Sequence, residues 1–247
     1  MKKFLIFQLT IVTAILLSGC GNKRNNDNAS SDTSSNENRE KVEIKYAQGF
    51  KVTDKGTYRL VDIEDPQHES KMTYHYALVD RGQSHDGIPQ NYTVIETPVR
   101  SVICMTTLQL ANFIKLDATD KVVGMTSTHY LFNEKMKEQI KNGKTGQIGI
   151  EGNFDSELIL ALHPDIILVS PFKRGGYETI KDLEIPLVTF LGYKETTPLG
   201  QAEWLKFTAM LLGQEKQANE QFADIEKKYL DLEKLCESVK ERPTVLS

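Results

Sequence analysis

The sequence predicts an α/β fold, in which a parallel β-sheet is flanked by helices. Short apolar runs alternate with helical patterns from residue 99 to residue 190, which is typical of parallel strands joined by helical crossovers. The preceding residues, 42–98, have the alternating pattern of half-buried strands. An apolar stripe over residues 218–239 indicates one long helix after the alternating part.

The amino-terminal β-rich part is expected to contain a hairpin. Asp54, Lys55 and Gly56 form a turn signal between its first two predicted strands. The predicted strands of this part, and of its junction with the next, lie at residues 42–46, 57–61, 74–79, 92–95 and 99–105.

The alternating part supplies the strands and helices of the parallel sheet. Its apolar runs lie at residues 99–103, 121–125, 165–170 and 186–190. Its helical patterns lie at residues 107–114, 133–141, 155–162 and 176–183. Pro164 separates the third helix from the third strand, because the residue before a proline is pushed out of the helical region.

Two consecutive helices follow the alternating part. Thr197 is a good N-cap, Pro198 fits the first helical position, and Gly213 is a natural stop. The next helix carries its apolar stripe on Ala218, Phe222, Ile225, Tyr229, Leu232, Cys236 and Val239. It would form a rod of about 30–40 Å, and coiled-coil dimerisation is the alternative use of such a stripe. Pro243 ends the helix, and a further strand is expected to begin at residue 244.

The amino terminus has the pattern of an export signal. A short basic stretch precedes an apolar run, residues 4–17, that is too short to span a bilayer. The run ends in Leu-Ser-Gly before Cys20, which resembles the lipobox of bacterial lipoproteins, so we expect diacylglycerol on the Cys20 thiol. The alternative is an ordinary secretory signal with a chance cysteine. Residues 1–19 are therefore a predicted signal peptide, and the polar residues 20–41 a flexible tether to the membrane.

Bulk composition excludes one class of partner. The chain has 30 Lys and Arg against 34 Asp and Glu, which gives a net charge of −4 at pH 7. Binding to nucleic acid needs clustered cations, so we expect no nucleic-acid partner. Cys104 and Cys236 are expected to be small buried apolar residues, and their spacing does not show whether they pair.

Enzyme and metal motifs are absent from the sequence. It contains no GxSxG, no HExxH and no glycine-rich phosphate loop. Its five histidines show no spacing that would hold zinc or manganese. We therefore predict no catalytic residue, no resident metal and no cofactor.

Residues 149–168 carry a family resemblance. The matching pattern is a glycine and a loop followed by Glu157, Ile159, Ala161, Leu162, Pro164 and Asp165. It resembles the signature of ABC-transporter solute-binding proteins for iron–siderophores, haem and cobalamin. The Val-Gly strand end at residues 121–124, the Thr197 helix and the rod follow in the same order, so the resemblance covers residues 99–247.

The resemblance implies two Rossmann-like lobes joined by one long, rigid helix, with the ligand in the cleft between them. Residues 99–213 would be the amino-terminal lobe, residues 214–242 the connecting helix and residues 243–247 the start of the second lobe. We expect the second lobe to be missing because the chain is truncated, rather than because it is a genuine half-protein. Residues 42–98 lie outside the family core and are interpreted as an elaboration on one side.

Glu157 is the best-supported site residue. It matches the glutamate that, in this family, projects from a lobe and pairs with arginines of the transmembrane permease. A carboxylate that meets a guanidinium forms a bidentate, orienting contact. The alternative is a solvated glutamate that favours the positive end of its helix. The resemblance thus implies an ABC permease as a partner, beside the membrane lipid attached at Cys20.

The ligand is expected beyond the carboxyl ends of the parallel strands, where open sheets form their crevice. Hydroxyls, aromatic rings and cations at these ends suit a large metal chelate with apolar and anionic parts. The candidate residues are Thr106, Thr107, Ser127, His129, Tyr130, Phe172, Lys173, Arg174 and Tyr193. Lys173 and Arg174 could meet the carboxylates or catecholates of a ferric siderophore, and the aromatic residues could stack on it. The alternative for each is an ordinary surface loop residue.

The identity of the ligand stays open among siderophore, cobalamin and haem. His129 and Tyr130 are residue types that ligate iron, but haem-binding relatives place a tyrosine where this chain has Ile150. That departure makes haem less favoured. The prediction is an exported, lipid-anchored solute-binding component of an ABC importer, on the periplasmic or outer-surface face of a membrane. The alternative is a structural or adhesive surface lipoprotein that self-associates through its long helix.

Overall fold

The computed structural model describes residues 40–126, 128, 130–150, 152–170, 177–237, 239 and 244. These residues belong to the larger of the chain's two units, residues 35–247. The predicted signal peptide, Cys20 and most of the predicted tether therefore lie outside the described residues.

The described elements are numbered here in chain order. The strands are β1 (Phe50–Asp54), β2 (Tyr58–Glu64), β3 (Thr73–Asp80), β4 (Thr93–Thr97), β5 (Val102–Cys104), β6 (Val122–Met125), β7 (Gly146–Gln147), β8 (Gly149–Ile150), β9 (Asn153–Phe154), β10 (Ile166–Val169) and β11 (Leu187–Thr189). The helices are α1 (Thr107–Lys115), α2 (Glu134–Lys141), α3 (Ser156–Ala161), α4 (Glu178–Lys181), α5 (Pro198–Leu212) and α6 (Glu215–Glu237), with 3₁₀ turns at Thr119–Lys121 and Gly192–Lys194.

A parallel sheet in the order β11-β10-β5-β6-β7 forms the α/β part, as the sequence predicts. Alternate residues of its strands point to opposite faces. One face packs on α1 and α5 through a core that includes Cys104, Leu110 and Trp204. The other face packs on α3 and α4 through Ile159 and Ile180. The prediction of a parallel sheet flanked by helices is confirmed.

Four of the helices begin with a side-chain cap at or next to the predicted start. The oxygens of Thr106, Asn133, Asp155 and Thr197 each accept a hydrogen bond from a backbone N–H in the first turn of the helix that follows. Each cap satisfies a donor that has no partner inside the helix. Local chemistry therefore sets the start of α1, α2, α3 and α5.

A second sheet, in the order β1-β2-β3-β4, precedes the parallel one. β1, β2 and β3 pair antiparallel, and β4 pairs parallel to β3. The predicted hairpin turn joins β1 to β2: Gly56 has a φ of 83°, and the Asp54 carboxylate accepts its N–H at 2.8 Å. A residue with a side chain rarely adopts this φ.

The predicted strand at residues 42–46 is wrong. Residues 41–46 do alternate between exposed and half-buried side chains, which is why the sequence looks strand-like, but they join no sheet. The N–H groups of Lys45 and Tyr46 donate instead to the carboxylate of Glu203 on α5. The side chain of Glu203 thus accepts the N–H groups that a neighbouring strand would accept in a sheet.

The two sheets share one hydrophobic core. Phe50 of β1 meets the Trp204 ring edge-on, with 4.9 Å between ring centroids. Tyr76 of β3 reaches the edge strand β11, where its hydroxyl donates to the Leu187 carbonyl and accepts the Thr189 N–H. These two bonds satisfy backbone groups that an edge strand would otherwise leave unpaired. The β-rich part therefore covers an edge of the parallel sheet.

The two long helices differ in burial. α5 is buried along most of its length and ends at Gly213, whose φ is 67°. α6 buries Ala218 and Phe222, whereas Leu232 and Leu235 are 61% and 66% exposed. In the described part of the chain, no helix combines the length and apolarity that crossing a membrane requires.

The two later cysteines are unpaired. Cys104 is buried in β5, and burial raises the pKa of its thiol. Cys236 is exposed near the end of α6, so the expectation of burial is wrong for this residue. The apolar stripe on which it was predicted to pack is uncovered at that end of the helix.

Candidate functional site

The carboxyl ends of three adjacent parallel strands are joined by the buried amide of Gln109 and by the hydroxyl of Thr126. Gln109 of α1 is fully buried, and its side-chain oxygen accepts the N–H groups of Met105 at 2.7 Å and Thr106 at 3.1 Å. Its side-chain nitrogen donates to the Ser170 hydroxyl at 3.4 Å. The Thr126 hydroxyl donates to the Met105 carbonyl at 2.7 Å. The ends of β5, β6 and β10 are thus held side by side.

Thr106 and Thr107 lie at the start of α1, at this edge of the sheet. The Thr106 hydroxyl accepts the Gln109 N–H, and the Gln109 side chain accepts the Thr106 N–H, which together form a capping box. Both threonines are half-buried. The cap leaves the Thr106 hydroxyl proton available to donate, so these residues can offer donors to a ligand.

The loop after β6 contains three of the predicted ligand residues. Tyr130 is 69% exposed, and Thr128 is tied to the neighbouring β7 through Gln147, whose amide donates to its hydroxyl at 3.4 Å. Ser127 and His129 lie outside the described residues. The structure therefore places only Tyr130 of this group, as an exposed aromatic side chain beside the sheet edge.

The end of β10 leads into the loop that holds Phe172, Lys173 and Arg174, all of which lie outside the described residues. A hydrogen bond joins the residue before this loop to the residue after it: the Ser170 N–H donates to the Tyr177 hydroxyl at 3.2 Å. The Tyr177 ring stacks on Phe154, with 6.2 Å between centroids.

Tyr193 lies in the 3₁₀ turn after β11 and is half-buried. Burial raises the pKa of its phenol, so it is a neutral donor at pH 7. Its neighbour Lys194 also follows this strand, but its ammonium is buried and bonded to Asp65 at 2.8 Å and to Glu69 at 2.6 Å. Burial alone would lower the pKa of Lys194, yet these two carboxylates raise it. Lys194 is therefore committed to ion pairs with these two carboxylates, and Tyr193 is the candidate ligand residue of this turn.

Glu157 is the second residue of α3, on the opposite face of the sheet from α5. Its side chain is exposed, and within the described residues it makes no ion pair. The Asp155 cap holds the start of the helix through the Leu158 N–H at 2.9 Å. The helix is thus fixed while the Glu157 carboxylate points to a surface that another molecule can reach.

Two residues of this edge were missed by sequence reasoning. Gln109 follows Thr106 by three positions, which is the spacing of a capping box and a signal that was available. Tyr177 carries no such signal, because its role depends on contacts with β9 and β10. Within the residues the structure describes, no three His, Cys, Asp or Glu side chains come together as a cation site.

The described lobe places the hydroxyls of Thr106 and Thr107 and the phenols of Tyr130 and Tyr193 after the carboxyl ends of its parallel strands. The chain belongs to the periplasmic binding protein family, whose model matches residues 102–247.

Individual relatives cover only part of this chain. An uncharacterized lipoprotein of Methanocaldococcus jannaschii is 32% identical over 117 residues, which is 45% of this chain and 30% of that protein. The siderophore binding protein BauB, solved with two acinetobactin molecules and ferric iron, matches with a TM-score of 0.50 and 14% identity over 74% of this chain and 56% of its own. The iron uptake protein PiuA of Streptococcus pneumoniae matches with a TM-score of 0.47 and 20% identity over 60% of this chain and 51% of its own. At 14% identity, the match to BauB shows similarity of fold alone. The chain spans about half the length of these two solved proteins and 30% of the length of the curated relative.

Proposed function

We propose that this protein is the membrane-anchored solute-binding component of an ABC importer, which captures a metal chelate and delivers it to the permease. An iron–siderophore is the first candidate, with cobalamin and haem as the others. The observation that carries the proposal is the family match over residues 102–247, which includes the strand ends carrying Thr106, Ser170 and Tyr193. The iron chelate bound by BauB makes that ligand class the first to test.

The proposed crevice combines donors and rings at one edge of the sheet. Thr106 and Thr107 would donate to ligand oxygens, and Tyr130 and Tyr193 would pack on its apolar parts. Ser127, His129, Phe172, Lys173 and Arg174 are proposed to complete the site from the two neighbouring loops. No resident cofactor is part of the proposal, because the metal arrives with the ligand.

Membrane attachment through Cys20 is the second part of the proposal. It is supported by the lipobox-like sequence and by the lipoprotein name of the Methanocaldococcus jannaschii relative. A Cys20→Ala variant should leave the membrane fraction and lose metabolic labelling by a fatty acid. Retention of both would show that another feature attaches the protein.

Direct titration tests the ligand class. The probes are a ferric hydroxamate, a ferric catecholate, haemin and cyanocobalamin. Trp204 is a suitable reporter because its ring packs against Gly192, the residue before Tyr193. The contact is close enough that a Cβ on Gly192 would lie 3.0 Å from the ring. We expect one probe to change its emission and to raise the melting temperature, since a ligand that binds only the folded state stabilises it. Failure of all four probes in both measurements would contradict the proposed ligand class.

Self-association through α6 is the competing function, and one observation favours it. The second half of the helix exposes Tyr229, Leu232 and Leu235. A structural protein held together by this face would be an obligate dimer, which Leu232→Glu would dissociate. Sedimentation velocity distinguishes the two functions: the importer function predicts a monomer whose mass does not depend on concentration in the micromolar range.

A further inference from the structure

Residues 40–49, here called the strap, are attached to the rest of the protein through their backbone. Five consecutive N–H groups of the strap donate to two carboxylates. Glu203 of α5 accepts those of Lys45, Tyr46 and Ala47, at 2.7–3.0 Å. Glu195, just before α5, accepts the other two, from residues 48 and 49, at 2.8–3.1 Å. Successive N–H groups that converge on an anion form a nest, which binds charge without using side chains.

The carbonyl groups of the strap are held in the same way. Lys206 of α5 donates to the carbonyl of Glu43 at 2.6 Å. Asn219 of α6 donates to the carbonyl of Lys41 at 3.0 Å, and Arg59 of β2 donates to that of Glu40 at 2.6 Å. Two helices and a strand thus bind the main chain of the strap at both its donors and its acceptors.

The carboxylate at the centre of these contacts is buried and charged. Glu203 is fully buried and pairs with Lys206 at 2.7 Å. Burial alone would raise the pKa of Glu203, but the hydrogen bonds from Lys206 and from the strap lower it below its ordinary value. The Lys206 ammonium also lies 4.3 Å from the centroid of the Phe222 ring. Lys206 and the N–H groups of the strap therefore keep the Glu203 carboxylate in its ionised form.

Close approach of the strap to α5 depends on small residues. A Cβ on Gly49 of the strap would lie 2.9 Å from the Trp204 ring. A Cβ on Gly200 of α5 would lie 3.2 Å from the carbonyl oxygen of Tyr46. The side chains of the strap add a second layer: the Tyr46 hydroxyl donates to Glu226 of α6 at 2.7 Å. Backbone recognition and glycine spacing together indicate a seat built for an extended chain rather than a chance contact.

We infer that the strap fastens the chain that leads to the amino terminus onto α5 and α6. Any attachment of the amino terminus would therefore hold the protein through this pair of helices. The role in anchoring rests on the proposed function, whereas the fastening itself does not. Ten residues reach at most about 33–36 Å when extended, so release of the strap would lengthen a tether by up to that distance.

Hydrogen–deuterium exchange of the full chain tests the inference. In the unaltered protein, the amides of residues 45–49 should exchange as slowly as those of β2, because their acceptors are held by α5. Glu203→Gln keeps the shape of the side chain but removes its charge, and should speed exchange of residues 45–47 by at least about tenfold more than exchange of α3 and β10. Glu226→Gln is the matched control, since it touches only side chains of the strap, and should leave these amides unchanged.

Three results would overturn the inference. Exchange of the strap amides in the unaltered protein at the rate of the exposed turn at Gly82 would show that the strap is not fastened. Equal acceleration of the strap and the parallel sheet by Glu203→Gln would show that Glu203 acts only on global stability and does not hold the strap in particular. Equal effects of Glu203→Gln and Glu226→Gln would show that the backbone contacts are not what holds the strap. If Glu203→Gln does not fold, Glu195→Gln replaces it, with faster exchange expected at residues 48 and 49 only.

Discussion

The α5 side of the molecule and the carboxyl edge of its parallel sheet use the same charged and polar residue types in opposite ways. At α5, Glu203 and Lys206 are buried, paired and bonded to the strap. At the other region, Glu157 and Tyr130 are exposed, and Thr106 and Thr107 are half-buried. A charge whose every bond is satisfied inside the protein supports the fold, whereas an exposed charge without an internal partner is free to recognise another molecule.

Lys194 shows why this difference matters for assigning a site. It follows β11 next to Tyr193, where a cation for an anionic ligand would be expected. Its ammonium is instead buried against Asp65 and Glu69. Position at the edge of a sheet is therefore not enough to identify a ligand contact, and the bonds that each group already makes have to be considered.

The largest expected effect is on the buried side. Glu203→Ala leaves Lys206 without its carboxylate and three strap N–H groups without an acceptor. Breaking a buried pair from one side costs about 3–5 kcal/mol, so we expect a loss of that size in the free energy of unfolding. Urea denaturation followed by circular dichroism measures it. A loss below about 1 kcal/mol would show that water replaces the carboxylate easily, and the contrast between the two regions would fail.

Low pH should lower the stability of the folded protein through the buried carboxylates of Asp65 and Glu203. Burial alone would raise the pKa values of Asp65 and Glu203, but their hydrogen bonds, above all those from Lys194 and Lys206, lower both. A carboxyl group whose pKa is lower in the folded state stabilises the protein above its unfolded pKa, and this stability is lost as the pH falls through the folded value. The free energy of unfolding should therefore fall below about pH 4. The pH series should be flatter for Glu203→Gln, and an unchanged slope would contradict the assignment.

At the crevice, the expected effect is on binding rather than on folding. Tyr193→Phe removes one hydroxyl and keeps the ring, so stability should change by less than about 0.5 kcal/mol. If the hydroxyl bonds to the ligand, affinity for the probe that binds should fall by about tenfold. Isothermal titration measures the affinity, and Tyr229→Phe on the exposed face of α6 is the matched control. An unchanged affinity would remove Tyr193 from the proposed site.

The smallest effect is expected for an exposed pair. Lys228 of α6 lies 2.6 Å from Asp224, but both side chains are more than half exposed. Exposed pairs at this spacing contribute little, so Lys228→Ala should change the free energy of unfolding by less than about 0.5 kcal/mol. The same urea experiment serves, with Glu203→Ala for comparison. A loss equal to that of the buried pair would mean that burial does not separate the two kinds of charge.

Local patterns predicted the parallel sheet and its helices well. Apolar runs and caps such as Thr106 and Thr197 depend on residues a few positions apart, and the structure confirms them. The strand predicted at residues 42–46 is wrong because its N–H groups bind Glu203, more than 150 residues away. Sequence periodicity shows which side chains are buried, but it does not show which group satisfies the backbone.

The candidate site was predictable only in outline. The apolar runs predicted that Thr106 and Tyr193 follow parallel strands, as they do, whereas a crevice at this edge stays a prediction. These runs could not reveal that Gln109 joins the ends of β5 and β10, nor that Lys194 is already paired, because both depend on contacts between distant segments. The docking role of Glu157 stays a prediction, supported by its exposure and by family membership.

Charge reversal at Glu157 tests the central claim most directly. In cells that carry only the altered chain, Glu157→Arg should reduce uptake of the bound chelate by at least about tenfold, because like charges at a docking contact repel. The affinity of the purified protein for the same chelate should stay within about twofold, and Glu138→Arg, at another exposed helical glutamate, should leave both unchanged. Equal loss of uptake and affinity, or normal uptake, would contradict the claim that Glu157 docks the protein on its permease.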